Sequence, residues 1–373
     1  MDLTTHRILD ANTNRAREAM RVMEEFARFV LNDGSLSAAL KKMRHDLGEA
    51  VMQLESGCGL GTGDSSADAR PDRGLIMHRD IVRDVGRDVS AAGEGDRADS
   101  FHVVVAAGKR LSEAMRVLEE YGKVVSRAFA ESMERIRYEG YDLEKRLART
   151  VRARERFAGI RLYVILTESL CRGDWFATAR ATLAGGADCL QLREKNLSDR
   201  ELLSRGEKLV SLCRDYKALF IMNDRPDLAV LCHADGVHLG QDDLSPADAR
   251  RILPSSALVG VSTHTTDQVA AACREVPDYI AVGPMFASST KPQGHIAGPK
   301  TLASAHGLTA LPLVAIGGID ESNAEQVLAS APCGLCVCSA VISHEDVAEA
   351  TRGLRRTIEG AGGVERASGP SVG

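Results

Sequence analysis

The chain has 373 residues, 44% hydrophobic and 27% charged, a composition ordinary for a soluble globular protein and long enough for two domains. Its formal net charge of −5 excludes a global basic field that would recruit nucleic acid. Any anionic ligand must then be held by a local cluster of Arg, Lys, backbone N–H or metal. No apolar run approaches the roughly 18 residues of a membrane span. Met1–Ala11 is polar with no apolar signal core, so a cytoplasmic location is expected.

Residues 1–54 and 101–155 read as helices, separated by polar loops at Ser56–Gly74 and Gly93–Ser100. This half contains an internal repeat. Asn14–Arg28 (NRAREAMRVMEEFAR) and Lys109–Lys123 (KRLSEAMRVLEEYGK) agree at eight of fifteen positions, with a constant offset of 95 residues. A second helix follows each copy, carrying Arg44-His45 in the first and Arg137-Tyr138 in the second. A duplicated helical hairpin about a pseudo-two-fold is therefore expected. Ala19, Val22, Met23 and Phe26, with Ala114, Val117, Leu118 and Tyr121, have core-face spacing. Arg15, Glu18, Arg21, Glu24 and Glu25 recur as Arg110, Glu113, Arg116, Glu119 and Glu120. They read first as a solvated charged face, and alternatively as a ligand or dimer site.

From Gly159 short apolar runs alternate with helical stretches. Eight strands are predicted, at Leu162–Leu166, Cys189–Leu192, Leu219–Met222, Gly236–Leu239, Leu258–Val261, Tyr279–Val282, Leu313–Ile316 and Gly334–Val337. Helices are predicted at Asp199–Asp215, Pro246–Ile252, Thr266–Glu275, Ser322–Ser330 and Glu345–Glu359. Eight parallel strands covered by helices imply an α/β fold closed into a (β/α)₈ TIM barrel, preceded by a smaller all-α domain. The boundaries expected are 1–155 for the helical domain, 156–359 for the barrel and 360–373 for a disordered Gly/Ser-rich tail. The nine cysteines are irregularly spaced and suggest no disulfide framework. Cys333 and Cys336, with Cys338, read as small apolar residues of a buried strand in preference to a zinc site.

A barrel carries its functional residues at the C-terminal ends of its strands. There this sequence places Gln191, Arg193 and Lys195; Asn223-Asp224-Arg225; Gly240-Gln241-Asp242-Asp243; Ser262-Thr263-His264; Ser288-Ser289-Thr290-Lys291; Gly317-Gly318; and Ser339. Any one of them would serve as a cap or loop residue; their convergence on one end argues for a site. Arg193, Lys195 and Lys291 suit phosphate oxygens. Asp224 and Asp243 are out of place beside an anion unless Mg²⁺ intervenes. Gly317-Gly318 and Ser339-Ala340 suit a second phosphate, held by backbone N–H groups. Asp235 opens strand four at the far end and reads as a loop residue, as does His264.

The runs QLREK (191–195), NDR (223–225), DGVHLGQDD (235–243), GVSTHT (260–265), DYIAVGPMFASSTK (278–291), VAIGGI (314–319) and VCSAVI (337–342) resemble those of thiamine phosphate synthases, in order along the barrel. The resemblance implies a transferase of thiamine biosynthesis. It would join hydroxymethylpyrimidine diphosphate to a hydroxyethylthiazole phosphate and release diphosphate. It implies catalytic roles for Arg193, Lys195, Lys291 and Ser262, and diphosphate contacts from Arg193, Lys195, Asn223 and Lys291. Gln191, Gln241 and Ser262 would surround the pyrimidine and diphosphate. Ser288, Thr290, Gly317, Gly318, Ser339 and Val341 would surround the thiazole and its phosphate, and Asp224 and Asp243 would hold Mg²⁺. Ser288 departs from the more usual Thr but keeps the hydroxyl. The alternatives are a thiazole tautomerase of the same superfamily and a non-catalytic barrel. The partners expected are the two small-molecule substrates, with homo-oligomerisation allowed and neither nucleic acid nor membrane involved.

The runs ILDANTNRAREAMRVMEEFARF (8–29), MRHDL (43–47), RDVGRDV (83–89), EAMRVLEEYGK (113–123) and RYEGYDLEKRL (137–147) resemble the helical domain sometimes fused ahead of such synthases. That domain has been proposed as a hydroxymethylpyrimidine phosphate kinase. No G-x-x-x-x-G-K-[ST] loop occurs in residues 1–155, so binding of a pyrimidine phosphate, or dimerisation, is the leading expectation and kinase activity the alternative.

Overall fold

A computed structural model of the chain describes residues 3–57, 75, 97–275, 277–287 and 295–365. Linker residues 58–74, the run 83–89, and Ser288, Thr290 and Lys291 lie outside the described residues. The chain divides into two compact units, residues 1–148 and 149–373.

The first unit is helical. Helix α1 (Leu3–Glu25) continues as a π-helical turn, Phe26–Val30, and is followed by α2 (Gly34–Gly57), α3 (Ser100–Val125) and α4 (Arg127–Phe157). Asp33 and Asp99 accept from the backbone N–H groups of Leu36 and His102, each at 2.8 Å, satisfying first-turn donors that would otherwise be unpaired. The two repeats are the matched helices α1 and α3, which pack on each other. Leu9, Met20, Met23, Leu111, Met115 and Leu118 are buried between the helices.

The charged repeat is only partly a solvated face. Arg21 and Arg116 are half exposed, but Glu24 and Glu119 are buried. Glu24 pairs with Arg44 of α2 at 3.0 Å, and Glu119 with Arg137 of α4 at 2.8 Å. The same ion pair thus ties each repeat helix to the helix that follows it.

The second unit is a closed eight-stranded parallel barrel in the order β1-β2-β3-β4-β5-β6-β7-β8. Its strands are β1 (Leu162–Leu166), β2 (Cys189–Leu192), β3 (Leu219–Asn223), β4 (Gly236–Leu239), β5 (Leu258–Thr263), β6 (Tyr279–Val282), β7 (Leu313–Ile316) and β8 (Gly334–Val337). The covering helices are α5 (Trp175–Ala184), α6 (Asp199–Asp215), α7 (Pro226–Leu231), α8 (Pro246–Ile252), α9 (Thr266–Glu275), α10 (Gly298–Leu308), α11 (Ala324–Leu328), α12 (Ser339–Ile342) and α13 (Val347–Glu365).

The strands are apolar on both faces because both are covered, yet the period of two still divides them. Leu162, Val164, Leu190, Phe220, Val237, Val259 and Ile280 point outward into the layer under the helices. Tyr163, Ile165, Cys189, Ile221, Leu258, Tyr279, Val314 and Cys336 fill the interior. Phe157, at the end of α4, belongs to that interior cluster and stacks on Tyr279 at 4.6 Å. This explains why the division falls inside α4 after residue 148, seven residues before the expected boundary. Burial pushes the Cys336 thiol well above its usual range and that of Cys333 up to about 12. These are core residues.

Aspartates staple the N-terminal end of the barrel. Asp188, Asp235 and Asp278 each stand just before an even strand and accept from the backbone of the strand before it: Leu162 at 2.9 Å, Phe220 at 2.9 Å and Val259 at 2.7 Å. Arg355 on α13 and Arg250 on α8 neutralise Asp188 and Asp278. Asp235, expected as a plain loop residue, is therefore a member of this set. Helix α13 runs to Glu365, into the segment read as a tail, and 366–373 lie outside the described residues.

Removing one partner of a buried ion pair strands the other's charge, at a cost of about 3 kcal/mol. Glu119→Ala should therefore destabilise the helical unit by about that much, whereas Arg116→Ala, on the exposed side, should change it by less than about 0.5 kcal/mol. Denaturant unfolding combined with hydrogen exchange in α3 checks both; equal effects would refute the distinction.

Candidate active site

At the C-terminal end of the barrel the inward positions turn polar. In register these are Gln191 beside Ile165 and Ile221, Asn223 beside His238, and Ser262 beside Ala281. They border a cavity of about 640 Å³. Seven residues expected at the site line it: Gln191, Arg193, Asn223, Ser262, Gly317, Gly318 and Ser339. Ile165, Ile316, Pro284 and Ala287 supply apolar wall.

Arg193 leaves the end of β2 with its N–H donated to the carbonyl of Leu166 at 2.9 Å, while its own carbonyl accepts from Thr167 Oγ1 at 2.8 Å. Its guanidinium pairs with no carboxylate among the described residues, which leaves a cation at the cavity available to an anion. Lys195, further out, reaches Asp224 at 2.5 Å.

Asp224 follows β3 in the left-handed region, with φ of 60°. That conformation costs a non-glycine residue of order 1 kcal/mol, and Asp tolerates it better than most. The Asp224 N–H donates to the carbonyl of His238 at 2.8 Å, which holds the turn. Asp243 accepts from the N–H of Gly240 at 2.7 Å. Burial, and next the neighbouring Asp224, raise the proton affinity of Asp243 above its ordinary value of 3.8. Two carboxylates close enough to disfavour each other's charge, with a lysine bridging in, have the chemistry of a divalent-cation site. Asp224 and Asp243 do not line the cavity itself but stand beside it, on the loops after β3 and β4.

Gly317 and Gly318 have φ of 96° and 69°. A Cβ on Gly317 would come within 2.6 Å of Pro284, and one on Gly318 within 2.8 Å of the carbonyls of Phe286 and Ala287. Only glycine satisfies both the dihedral and the space. Ser339 and Ala340 line the same side of the cavity, from the start of α12.

Some expected residues stand apart. Val341 is fully buried, with its N–H on the carbonyl of Cys338 at 3.0 Å; Ala340 lines the cavity in its place. Gln241 donates to the carbonyl of Ser262 at 2.5 Å, bracing β5 from the rim. Ser288, Thr290 and Lys291 lie outside the described residues.

Sequence reasoning passed over three buried side chains. Gln191 Nε2 donates to Tyr163 Oη at 2.6 Å, and Tyr163 Oη lies 3.1 Å from Tyr279 Oη. Tyr279 Oη lies 3.0 Å from His238 Nδ1, and His238 Nε2 lies 2.9 Å from Ser262 Oγ. Burial lowers the His238 pKa to about 4, so the ring is neutral. Alternation alone pairs 238 only with 236 of its own strand; the register of the closed sheet is what brings it beside Asn223 and onto the face of Ser262. His264, read as a loop residue, also lines the cavity, with Nδ1 2.5 Å from the carbonyl of Gly283.

Residues 162–341 match the thiamine monophosphate synthase family, and residues 7–146 match the ThiD2 family. A thiamine-phosphate synthase of Rhodopirellula baltica is 37% identical, over 95% of this chain and 93% of its own. One from Thermosynechococcus vestitus is also 37% identical, over 94% of each chain. Among solved structures, a thiamine phosphate pyrophosphorylase from Pyrococcus furiosus is 35% identical with a TM-score of 0.51, covering 54% of this chain and 96% of its own. With 37% identity shared along nearly the full length of both chains, the chain belongs to the thiamine-phosphate synthase family.

Proposed function

We propose that the barrel joins hydroxymethylpyrimidine diphosphate to hydroxyethylthiazole phosphate, and that the cavity at its mouth seats the two substrates between two anion-binding ends. The observation that carries this reading is the placement of those ends. Arg193, Asn223 and the Asp224–Asp243 pair follow β2 to β4, whereas Gly317, Gly318 and Ser339 follow β7 and β8. In a closed eight-stranded barrel β3 and β7 face each other across the interior. One end suits a diphosphate with a divalent cation, and the other a single phosphate held by glycine backbone.

The chemistry follows from the leaving group. As the C–O bond breaks, negative charge collects on diphosphate and positive charge on the pyrimidine methylene. Arg193, Lys195 and Asn223, joined by Lys291, meet the first; the electron-rich aminopyrimidine spreads the second. The thiazole nitrogen then attacks the methylene. Mg²⁺, held by Asp224 and Asp243, would neutralise part of the diphosphate charge. Lys195 and Asp224 already pair at 2.5 Å, so the carboxylate end accepts a cation and Lys195 is free to turn to phosphate once one is present. A thiazole tautomerase expels no diphosphate and has no use for this cluster.

For residues 7–146 we favour binding of a pyrimidine phosphate, with its phosphorylation or a dimer contact as the other readings. No helix among the described residues is long and apolar enough to cross a membrane, and we expect the reaction in the cytoplasm.

Full-length protein given both substrates and Mg²⁺ should release pyrophosphate, and Arg193→Ala should lower kcat about 10²-fold or more. No release by the wild type would sink the reading. Asp243→Asn should raise the Mg²⁺ concentration for half-maximal rate about tenfold. Because the Asp243 pKa is raised, protons compete with Mg²⁺ for this carboxylate at a higher pH than they would at an ordinary Asp. Apparent Mg²⁺ affinity should therefore weaken as the pH falls, and from a higher pH than near 3.8. A flat response in a Mg²⁺ titration repeated across pH would contradict this.

For the helical unit, full-length protein and a chain beginning near residue 149 are compared on the pyrimidine monophosphate with ATP, and on the diphosphate. The barrel should use the diphosphate alone. Neither ATP consumption nor binding of the monophosphate by the full chain would exclude both the binding and the kinase readings.

A further inference from the structure

The chain Gln191–Tyr163–Tyr279–His238–Ser262 joins Gln191 and Ser262, two of the residues expected to contact substrate, through Tyr163, Tyr279 and His238, of which His238 also borders the cavity. All five side chains sit within the barrel: Tyr163, Tyr279, Gln191 and His238 are at most 7% exposed. Its middle is held rigidly. The Tyr279 ring is stacked on Phe157 at 4.6 Å and lies 5.6 Å from the His238 ring. A Cβ on Gly260 would come within 2.0 Å of Tyr279 Cζ, so the ring rests on bare backbone.

Each hydroxyl and the neutral imidazole carry one proton between two neighbours, so the protons along such a chain can run in only two directions. In one, Gln191 Nε2 donates to Tyr163, Tyr163 to Tyr279, Tyr279 to His238 Nδ1, and His238 Nε2–H to Ser262 Oγ. The Gln191 carbonyl then faces outward as an acceptor, and the Ser262 proton is left for the cavity. In the other direction every link reverses: the Gln191 amide group faces outward as a donor, and Ser262 spends its proton on His238.

We propose that Tyr163, Tyr279 and His238 are positioning residues that couple pyrimidine recognition at Gln191 to proton donation at Ser262. An amino group on the pyrimidine needs an acceptor, so it selects the direction in which the Ser262 hydroxyl donates to the departing diphosphate. The inference rests on the reading of Gln191 and Ser262 as substrate contacts given above.

The test is a double-mutant cycle on full-length protein, with pyrophosphate release as the readout. Tyr279→Phe removes the central hydroxyl and should lower kcat about tenfold, leaving KM for the pyrimidine diphosphate within about twofold, as expected for an interaction realised only in the transition state. In a Ser262→Ala background the same substitution should cost less than about twofold, because its route to the substrate is gone. Tyr163→Phe should show the same non-additivity and serves if Tyr279→Phe does not fold. Effects of Tyr279→Phe and Tyr163→Phe that multiply with Ser262→Ala, or that are absent while Ser262→Ala is impaired, overturn the relay alone. Wild-type rates for both Ser262→Ala and Gln191→Ala overturn the site reading beneath it.

Discussion

A polar side chain inside a closed eight-stranded barrel has no water to turn to, so its partner must come from another strand. Leaving it unpaired would cost about 1–3 kcal/mol. Here Tyr163 on β1, Gln191 on β2, His238 on β4, Ser262 on β5 and Tyr279 on β6 satisfy one another. The same bonds that make these residues tolerable in the interior fix their rotamers. The floor of the cavity is therefore set before any substrate arrives, which is the condition under which hydrogen-bond donors stabilise a transition state without reorganising. Below this layer the interior is apolar, with Phe157 packed into it; above it the loops turn to charge.

That vertical order separates two tasks. The N-terminal end is closed by Asp188, Asp235 and Asp278, whose carboxylates accept backbone N–H groups and, in two cases, meet an arginine. These aspartates hold neighbouring strands together. At the C-terminal end the carboxylates do the opposite. Asp224 and Asp243 sit close enough to raise the proton affinity of one of them, and Asp224 occupies a left-handed backbone conformation to get there. Carboxylates tied down by backbone N–H groups mark the structural end and neighbouring carboxylates that disfavour each other's charge the functional one, which agrees with the usual division of labour in this fold.

Much of this was legible because burial on both faces writes each strand as a short apolar run. Six of the eight strands begin and end where those runs do; β3 and β5 extend to Asn223 and Thr263, where polar interior residues hid the continuation. Helix α13 carries on through Gly360 despite a composition that reads as tail, and α11 is shorter than the Ser322–Ser330 run. The cationic and acidic strand-end residues were legible because barrel topology says where to look. Asp235 and His238 were not, although they stand three residues apart in one run. One is on the bottom rim and the other within the interior, and only the closed sheet shows what each faces. What Asp188, Asp235 and Asp278 share in the fold is their place just before an even strand.

The helical unit bears the same distinction between scaffold and site, written through duplication. Both copies keep the buried pair, Glu24 with Arg44 and Glu119 with Arg137, so the pair belongs to the packing of the hairpin. The copies part company just before the repeat begins. The first buries Asp10, Asn12 and Thr13, and Asn12 donates back to the carbonyl of Ile8 at 2.8 Å. The second has Val105, Ala107 and Gly108 at those positions, where a Cβ on Gly108 would meet the Glu144 carboxylate at 2.7 Å. Buried polar groups cost stability unless they are hydrogen-bonded, and the first copy offsets that cost within its own helix, with Asp10 accepting from Asn14 Nδ2 at 3.1 Å. Duplication therefore keeps the ion pair that packs each hairpin while the start of the repeat diverges, hydrogen-bonded polar side chains on α1 standing where α3 has small residues closely packed.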